Sequence, residues 1–264
     1  MIFDTHAHYD DEQFDTDREA LLASLSSHGV GTVVDVGASA ASLPLVRQLA
    51  HTYEFVYGAV GLHPDEVGDL TDEVMQDLER DMADPKIVAV GEIGLDYYWD
   101  KESHDTQELA FRRQIELALA HGKPIIVHSR SAAEDTLRVI SEYYGKTAVD
   151  RPGIIHCYSY SAAMAEQYVA MGFVLGVGGV VTYKNGKKLK QTVERIPLKS
   201  LVLETDCPYL SPEPYRGKRN SSIHLTEVAK AIAEIKGVDP QTVIDVTEAN
   251  ARRVFRLDDE TFGK

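Results

Sequence analysis

Ile2–Phe3–Asp4–Thr5–His6–Ala7–His8 opens the chain, and Leu201–Val202–Leu203–Glu204–Thr205–Asp206 stands near its end. Each is a short, β-rich apolar run that gives way to histidine or carboxylate. Three runs between them do the same: Ile87–Gly91 leads into Glu92, Pro124–Val127 into His128, and Gly153–Ile155 into His156. Strand ends are rigid, and imidazole with carboxylate is the ligand set of hydrolytic metal centres. In α/β folds the active site lies at the carboxyl ends of the strands.

Working outward, the pattern predicts eight strands: Ile2–Thr5, Thr32–Val36, Phe55–Val60, Ile87–Gly91, Pro124–His128, Gly153–His156, Phe173–Val177 and Leu201–Glu204. Segments with helical spacing separate them. One carries Leu109, Ile115, Leu117 and Leu119. A second starts at Ser161, places Met164, Tyr168 and Met171 on one side, and stops at Gly172; Thr71 has the character of a third N-cap. Two helices, Ile223–Ile235 and Pro240–Val254, are expected to close the chain. Alternating strands and helices imply parallel strands joined by right-handed crossovers. The ligand-bearing runs choose between the open and closed versions of that plan. The first and last strands of an open sheet can lie far apart, whereas in a closed eight-stranded barrel they are neighbours and all five ends share one mouth. The expected fold class is therefore α/β, a (β/α)8 barrel in a single domain over residues 1–257, with a frayed tail at 258–264.

The chain has 264 residues, 44% of them hydrophobic, enough for a full core. No apolar run is long enough to span a bilayer, and the acidic stretch from Met1 to Arg18 does not resemble a signal peptide, so no membrane association and a cytoplasmic location are expected. The two cysteines, Cys157 and Cys207, each follow a candidate ligand directly; they suit a reducing compartment and packing beneath the site. A net charge of −15 argues against a broad basic face for duplex nucleic acid. It leaves room for an enzyme that grips one phosphate through metal ions. Local basic clusters, Arg216–Gly217–Lys218–Arg219 and Lys184, Lys187, Lys188 and Lys190, read as a loop near the eighth strand and a solvated helix face.

His6 and His8 are two apart on one strand, so both imidazoles face the same way. Glu92 lies in Gly91–Glu92–Ile93–Gly94, where the glycines are expected to let the backbone turn sharply at the barrel mouth, and its two oxygens allow it to bridge two ions, as an imidazole cannot. Six ligands exceed the needs of one tetrahedral ion. They fit two divalent ions: His6, His8 and Asp206 on one, His128 and His156 on the other, with Glu92 between. Imidazole-rich ligation favours zinc or manganese. Asp206 and Glu92 are the candidate catalytic groups, Asp206 as the base that takes a proton from a metal-activated water. His63, Arg130 and Asn220 are candidate substrate-binding residues, with Arg219 beside them, and Asp96 and Glu204 are candidates to orient the ligands.

Taken in order, Phe3–Asp4–Thr5–His6–Ala7–His8, Gly61–Leu62–His63–Pro64, Gly91–Glu92–Ile93–Gly94–Leu95–Asp96–Tyr97, Pro124–Ile125–Ile126–Val127–His128–Ser129–Arg130, Ile155–His156–Cys157–Tyr158–Ser159, Leu203–Glu204–Thr205–Asp206–Cys207–Pro208–Tyr209–Leu210 and Pro214–Tyr215–Arg216–Gly217–Lys218–Arg219–Asn220 resemble the TatD family of metal-dependent deoxyribonucleases, within the amidohydrolase-like barrels. The resemblance runs from residue 2 to about residue 256. It implies a TIM barrel, a divalent metal site on the same six ligands, and cleavage of DNA phosphodiesters, often from a 3′ end. It also implies magnesium as a working ion, and it places His63, Arg130 and Asn220 in motifs near the substrate. The chain departs from the pattern at Ser221–Ser222, where the family commonly has Glu-Pro; the departure bears on the loop after the eighth strand and on substrate selection, not on the metal site.

The expected function is metal-dependent hydrolysis of DNA phosphodiesters at a dinuclear site, as a 3′–5′ exonuclease on single-stranded DNA. The same ligands serve carbonyl chemistry, so an ester or amide hydrolase such as an aminoacyl-tRNA deacylase is the alternative. A metal-storing or partner-binding barrel is a third reading, and it has no use for a carboxylate beside a water-accessible ion.

Overall fold

Eight parallel strands pair in chain order, β1 with β2 and so on to β8. They are β1 (Ile2–Ala7), β2 (Val30–Val36), β3 (Val56–Val60), β4 (Ile87–Asp96), β5 (Ile125–Arg130), β6 (Gly153–Ile155), β7 (Val174–Val177) and β8 (Leu201–Leu203). This is a computed structural model, and it describes residues 1–99, 101–145 and 149–257. The tail expected at 258–264 lies outside the described residues. The helices are α1 (Arg18–Ser24), α2 (Leu43–Thr52), α3 (Asp72–Asp81), α4 (His104–His121), α5 (Ala133–Tyr144), α6 (Ala162–Ala170), α7 (Lys187–Arg195), α8 (Leu225–Lys236) and α9 (Pro240–Val254).

The last strand returns to the first. Ala7 bridges to Cys207 in parallel, His8 N donates to Cys207 O at 2.8 Å, and Asp206 N donates to His6 O at 2.9 Å. Side chains reinforce the seam. Buried Asp4 accepts from Thr205 N at 3.0 Å, Thr205 Oγ1 at 2.7 Å and Ser222 Oγ at 2.7 Å. The nearly closed TIM barrel follows from these contacts.

Strand alternation sorts the apolar residues into two cores. Phe3, Val34, Val36, Ala59, Val88, Ile126, Ile154, Val174 and Val202 fill the inside. Their neighbours, such as Val33, Ile87, Ile125, Ile155 and Leu201, face the surrounding helices. Ala251, Val254 and Phe255 of the α9 end join the inner cluster, and Phe255 stacks on Phe3 with centroids 5.8 Å apart. The amino end of the barrel is thereby plugged, and the carboxyl end is left as the mouth.

Helix starts obey their sequence signals. Thr71 caps α3 by accepting from Val74 N, and Ser161 caps α6 by accepting from Met164 N. Lys187, Lys188 and Lys190 lie on α7, where Lys187 and Lys188 are exposed, as a solvated helix face requires.

One strand differs in kind from its expectation. Gly91–Gly94 reads as a turn after β4, yet β4 continues through Glu92 to Asp96 with a register shift between Val90 and Ile93. The glycines serve close packing instead. A Cβ on Gly94, at φ +149°, would lie 1.9 Å from the His128 carbonyl oxygen. Glu92 and His128 thus project from the walls of two tightly paired strands and not from strand ends.

Candidate metal centre

The six candidate ligands meet at the barrel mouth. His6 belongs to β1, His8 lies one residue beyond it, Glu92 is in β4, His128 in β5, and His156 and Asp206 follow β6 and β8. Glu92 stands in the middle, and its two oxygens face two imidazole pairs. Oε2 is 3.5 Å from His6 Nε2 and 3.9 Å from His8 Nε2. Oε1 is 2.8 Å from His128 Nδ1 and 3.8 Å from His156 Nε2. Asp206 Oδ1 lies 3.3 Å from His8 Nε2, 3.9 Å from His6 Nε2 and 3.7 Å from His156 Nε2. His6 and His156 stack with centroids 3.5 Å apart. Asp206 occupies the left-handed region at φ 57°, a conformation aspartate tolerates better than most residues and one that recurs at functional sites.

The outer face of three imidazoles is held. His8 Nδ1 is 2.8 Å from the Val36 carbonyl oxygen, and His128 Nε2 is 2.9 Å from Asp96 Oδ2. His156 Nδ1 lies 3.1 Å from Glu204 Oε2, close enough for an ion pair but off the line of a good hydrogen bond. An imidazole that donates its outer N–H to a carbonyl or carboxylate has its lone pair fixed inward, as metal-binding histidines do. Glu204 fits behind His156 because Gly176 is bare; a Cβ there would come within 2.0 Å of Glu204 Oε2.

The electrostatics call for positive charge. Burial pushes the Glu92 carboxyl up, but the imidazoles of His6, His128 and His156 more than reverse this and hold it well below the usual carboxylate range. Burial disfavours protonated His8, yet its bond to Asp206 and that residue's charge push it up to about 10. Burial likewise opposes protonation of His128 and His156; Glu92 with Asp96 raises the first, and Glu204 with Glu92 the second, each to about 9. His6 moves the other way, because burial and the neighbouring His156 lower it. The carboxylates thus draw protons onto imidazoles whose lone pairs point inward. A divalent cation satisfies the same demand. The triads His6–His156–Asp206, His6–His8–Glu92 and His63–Glu92–His128 each keep their ligand atoms within 4.8 Å of one another, so the residues present fit metal ions.

The substrate-binding candidates part company. His63 reaches the centre: its ring meets His128 edge-on with centroids 4.3 Å apart, and burial together with His128 pulls it down to about 4. Its Nδ1 accepts from Asp65 N at 3.2 Å. Arg130 is exposed at the end of β5, its guanidinium 3.9 Å from the Tyr98 ring centroid. Asn220 is buried and fully occupied. Its Nδ2 donates to Thr205 O at 3.0 Å and Tyr209 O at 2.8 Å, and its Oδ1 accepts from Ser221 N at 2.9 Å and lies 3.2 Å from His224 Nδ1. Expected near the substrate, Asn220 has its amide engaged in shaping the loop after β8. Arg219 is also spoken for, with forked bonds of 2.8 and 2.5 Å to Asp17 and a third to Gln13 O. Ser222, where the family pattern has Pro, is fully buried; it donates to Asp4, and its Oγ lies 2.8 Å from Tyr9 Oη. That departure serves the seam.

Sequence reasoning passed over Tyr98 and Trp99, which stand exposed just past β4 at 57% and 58%. The signal was a lone tryptophan three residues beyond Asp96.

Known proteins resemble this chain over nearly its whole length. A family described as TatD related DNase matches residues 3–256. The uncharacterised metal-dependent hydrolase YabD of Bacillus subtilis is 42% identical over 97% of this chain and 100% of its own length. The uncharacterised metal-dependent hydrolase TatD of Mycobacterium tuberculosis is 37% identical over 97% of this chain and 98% of its own. Among solved structures, the TatD homologue YjjV of Escherichia coli superposes with a TM-score of 0.90 at 30% identity, covering 97% of this chain and 98% of that one.

Proposed function

The chain belongs to the TatD-related DNases and is a metal-dependent hydrolase, and on that premise we propose that it cleaves phosphodiester bonds of single-stranded DNA from a 3′ end. The observation that carries the reading is the central carboxylate: Glu92 turns one oxygen to His6 and His8 and the other to His128 and His156. His6, His8 and Asp206 would hold one ion and His128 and His156 a second, with Glu92 within reach of both sets. Zinc or manganese fits the imidazoles best, and magnesium is the ion the family suggests. Bound there, the ions would supply Lewis acidity toward a phosphoryl oxygen and would make water a usable nucleophile near neutral pH.

The chain's own residues do the rest. Glu92 stays ionised, as a bridging carboxylate must. Asp206 is the more exposed carboxylate, its side chain 19% accessible against 5% for Glu92. Its Oδ1 faces His8, which leaves the other oxygen to accept the proton from the attacking water. Val36 O, Asp96 and Glu204 hold His8, His128 and His156 in place. His63 and Arg130 flank the centre and are the groups proposed to meet the phosphate. A chain with a net charge of −15 suits a local grip on a strand end.

The test is hydrolysis of a 5′-labelled single-stranded oligonucleotide by metal-loaded protein, compared with an aminoacyl ester, with zinc, manganese and magnesium added in turn. Stepwise shortening from the 3′ end is expected. Intact DNA and RNA alongside hydrolysis of the aminoacyl ester would overturn the reading in favour of a deacylase.

A further inference from the structure

Exposed aromatic surface gathers at the mouth. Among the described residues, the exposed large hydrophobics are Met1, Tyr98, Trp99, Leu109, Tyr209, Leu210 and Val238. Four of the seven follow the ligand-bearing strands β4 and β8. Tyr98 and Trp99 are the better built pair. Their rings meet edge-on with centroids 5.0 Å apart, and the Arg130 guanidinium lies 3.9 Å from the first centroid and 5.4 Å from the second. The backbone beneath them is pinned: Asp96 Oδ1 accepts from Tyr98 N at 2.8 Å and from Trp99 N at 3.0 Å. The other oxygen of that carboxylate is the one 2.9 Å from His128 Nε2. One buried side chain therefore fixes both a candidate metal ligand and the aromatic pair. Arg130 stands two residues beyond His128 on β5, so both project from the same face, about 7 Å apart along the strand.

We infer that Tyr98, Trp99 and Arg130 form a stacking subsite for one unpaired nucleobase of the strand being cut. This deepens the phosphodiesterase reading and rests on it. Large aromatic faces left in water are costly unless something covers them. The cover must be flat, must tolerate a cation against the rings, and must belong to a molecule whose scissile bond lies at the neighbouring centre. A nucleobase meets all three conditions, because every base has a π-face and guanidinium stacks on bases as on aromatic side chains. Stacking of this kind is sequence-tolerant, so the subsite selects unpaired over paired strands and not one base over another.

Trp99 is the only tryptophan of the chain, so its emission reports on the subsite directly. Metal-loaded protein is titrated with a phosphorothioate-linked single strand, with an abasic strand of the same backbone, and with a blunt duplex. Saturable quenching by the base-bearing strand is expected, with little from the other two. In parallel, kcat/KM is measured on cleavable base-bearing and abasic strands. The preference for bases should shrink roughly 5- to 150-fold in Tyr98→Ala with Trp99→Ala, and Tyr98→Phe with Trp99→Phe should restore it. Equal quenching by base-bearing and abasic strands, or an unchanged preference in the alanine variant, overturns the subsite while cleavage by the wild type leaves the nuclease reading standing. Selective quenching by a strand that the wild type never cleaves supports the subsite and removes the phosphodiesterase reading.

Discussion

The two sides of the barrel mouth put their hydrogen-bonding and aromatic groups to opposite uses. On the β8–β1 side, Asn220, Ser222, Tyr9, Thr205 and Asp4 bond to one another or to nearby backbone and are buried. On the β4–β5 side, Tyr98, Trp99 and Arg130 are exposed; Asp96 pins the backbone of the aromatic pair, and the guanidinium packs on the Tyr98 ring. The first side spends its polar groups on closing the barrel. The second leaves its aromatic and cationic groups facing solvent. Polarity in a motif near a site therefore does not identify a substrate contact; the number of partners a group already has does.

The largest effect is expected where the two sides meet. Asp206→Asn should lower kcat on the order of 10²- to 10⁴-fold, with the thermal midpoint little changed, because the residue sits at the mouth and not in the core. Near-normal turnover would place the base elsewhere. Glu204 is a poor substitute, since it is buried behind His156.

Next comes the closed side. Asn220→Ala strands two backbone carbonyls and one amide N–H, so a loss of about 2–4 kcal/mol in urea unfolding is expected. An Asn220→Ala protein with wild-type stability and a raised KM would instead give Asn220 the substrate role expected from the sequence. On the open side the signs reverse. Arg130→Ala should raise KM for single strands about tenfold with no loss of stability.

The pH dependence of metal binding sharpens the picture of the centre itself. His8, pushed up to about 10, and His128 and His156, at about 9, carry protons at neutral pH when no cation is present. Ligation requires the neutral imidazole, so binding must release protons. Apparent affinity should rise with pH toward 9–10 and fall as pH drops. Calorimetry in two buffers of different ionisation enthalpy reads the proton count directly, and a buffer-independent enthalpy at pH 7 would contradict the arrangement. Arg219→Ala is the smallest change: an exposed pair with Asp17 contributes within about 1 kcal/mol. A tenfold KM effect there, equal to that of Arg130, would erase the distinction between the two sides.

Strand order, barrel closure and the convergence at the mouth were legible because side-chain period and ligand chemistry pointed to the same ends. The continuation of β4 past Glu92 was not. Gly91 and Gly94 look like turn residues along the chain, and only the nearness of the β5 backbone shows why a side chain is excluded there. The fates of Arg219 and Asn220 were hidden for a different reason: Asp17 and Thr205 are distant or unremarkable in sequence, and a satisfied polar group looks the same in one dimension as a free one. Tyr98 and Trp99 escaped notice because aromatic residues are by default assigned to the core. Their exposure is a property of the folded chain alone.

The seam between β1 and β8 also sets a timetable. His6 and His8 are synthesised long before Asp206, whose amide bonds to the His6 carbonyl. A growing chain can hold most of the ligands yet has no closed barrel until the last strand emerges, and contacts so distant in sequence form late. A metal-dependent hydrolase built this way stays inert until its eighth strand has been made and the two halves of its ligand set can meet.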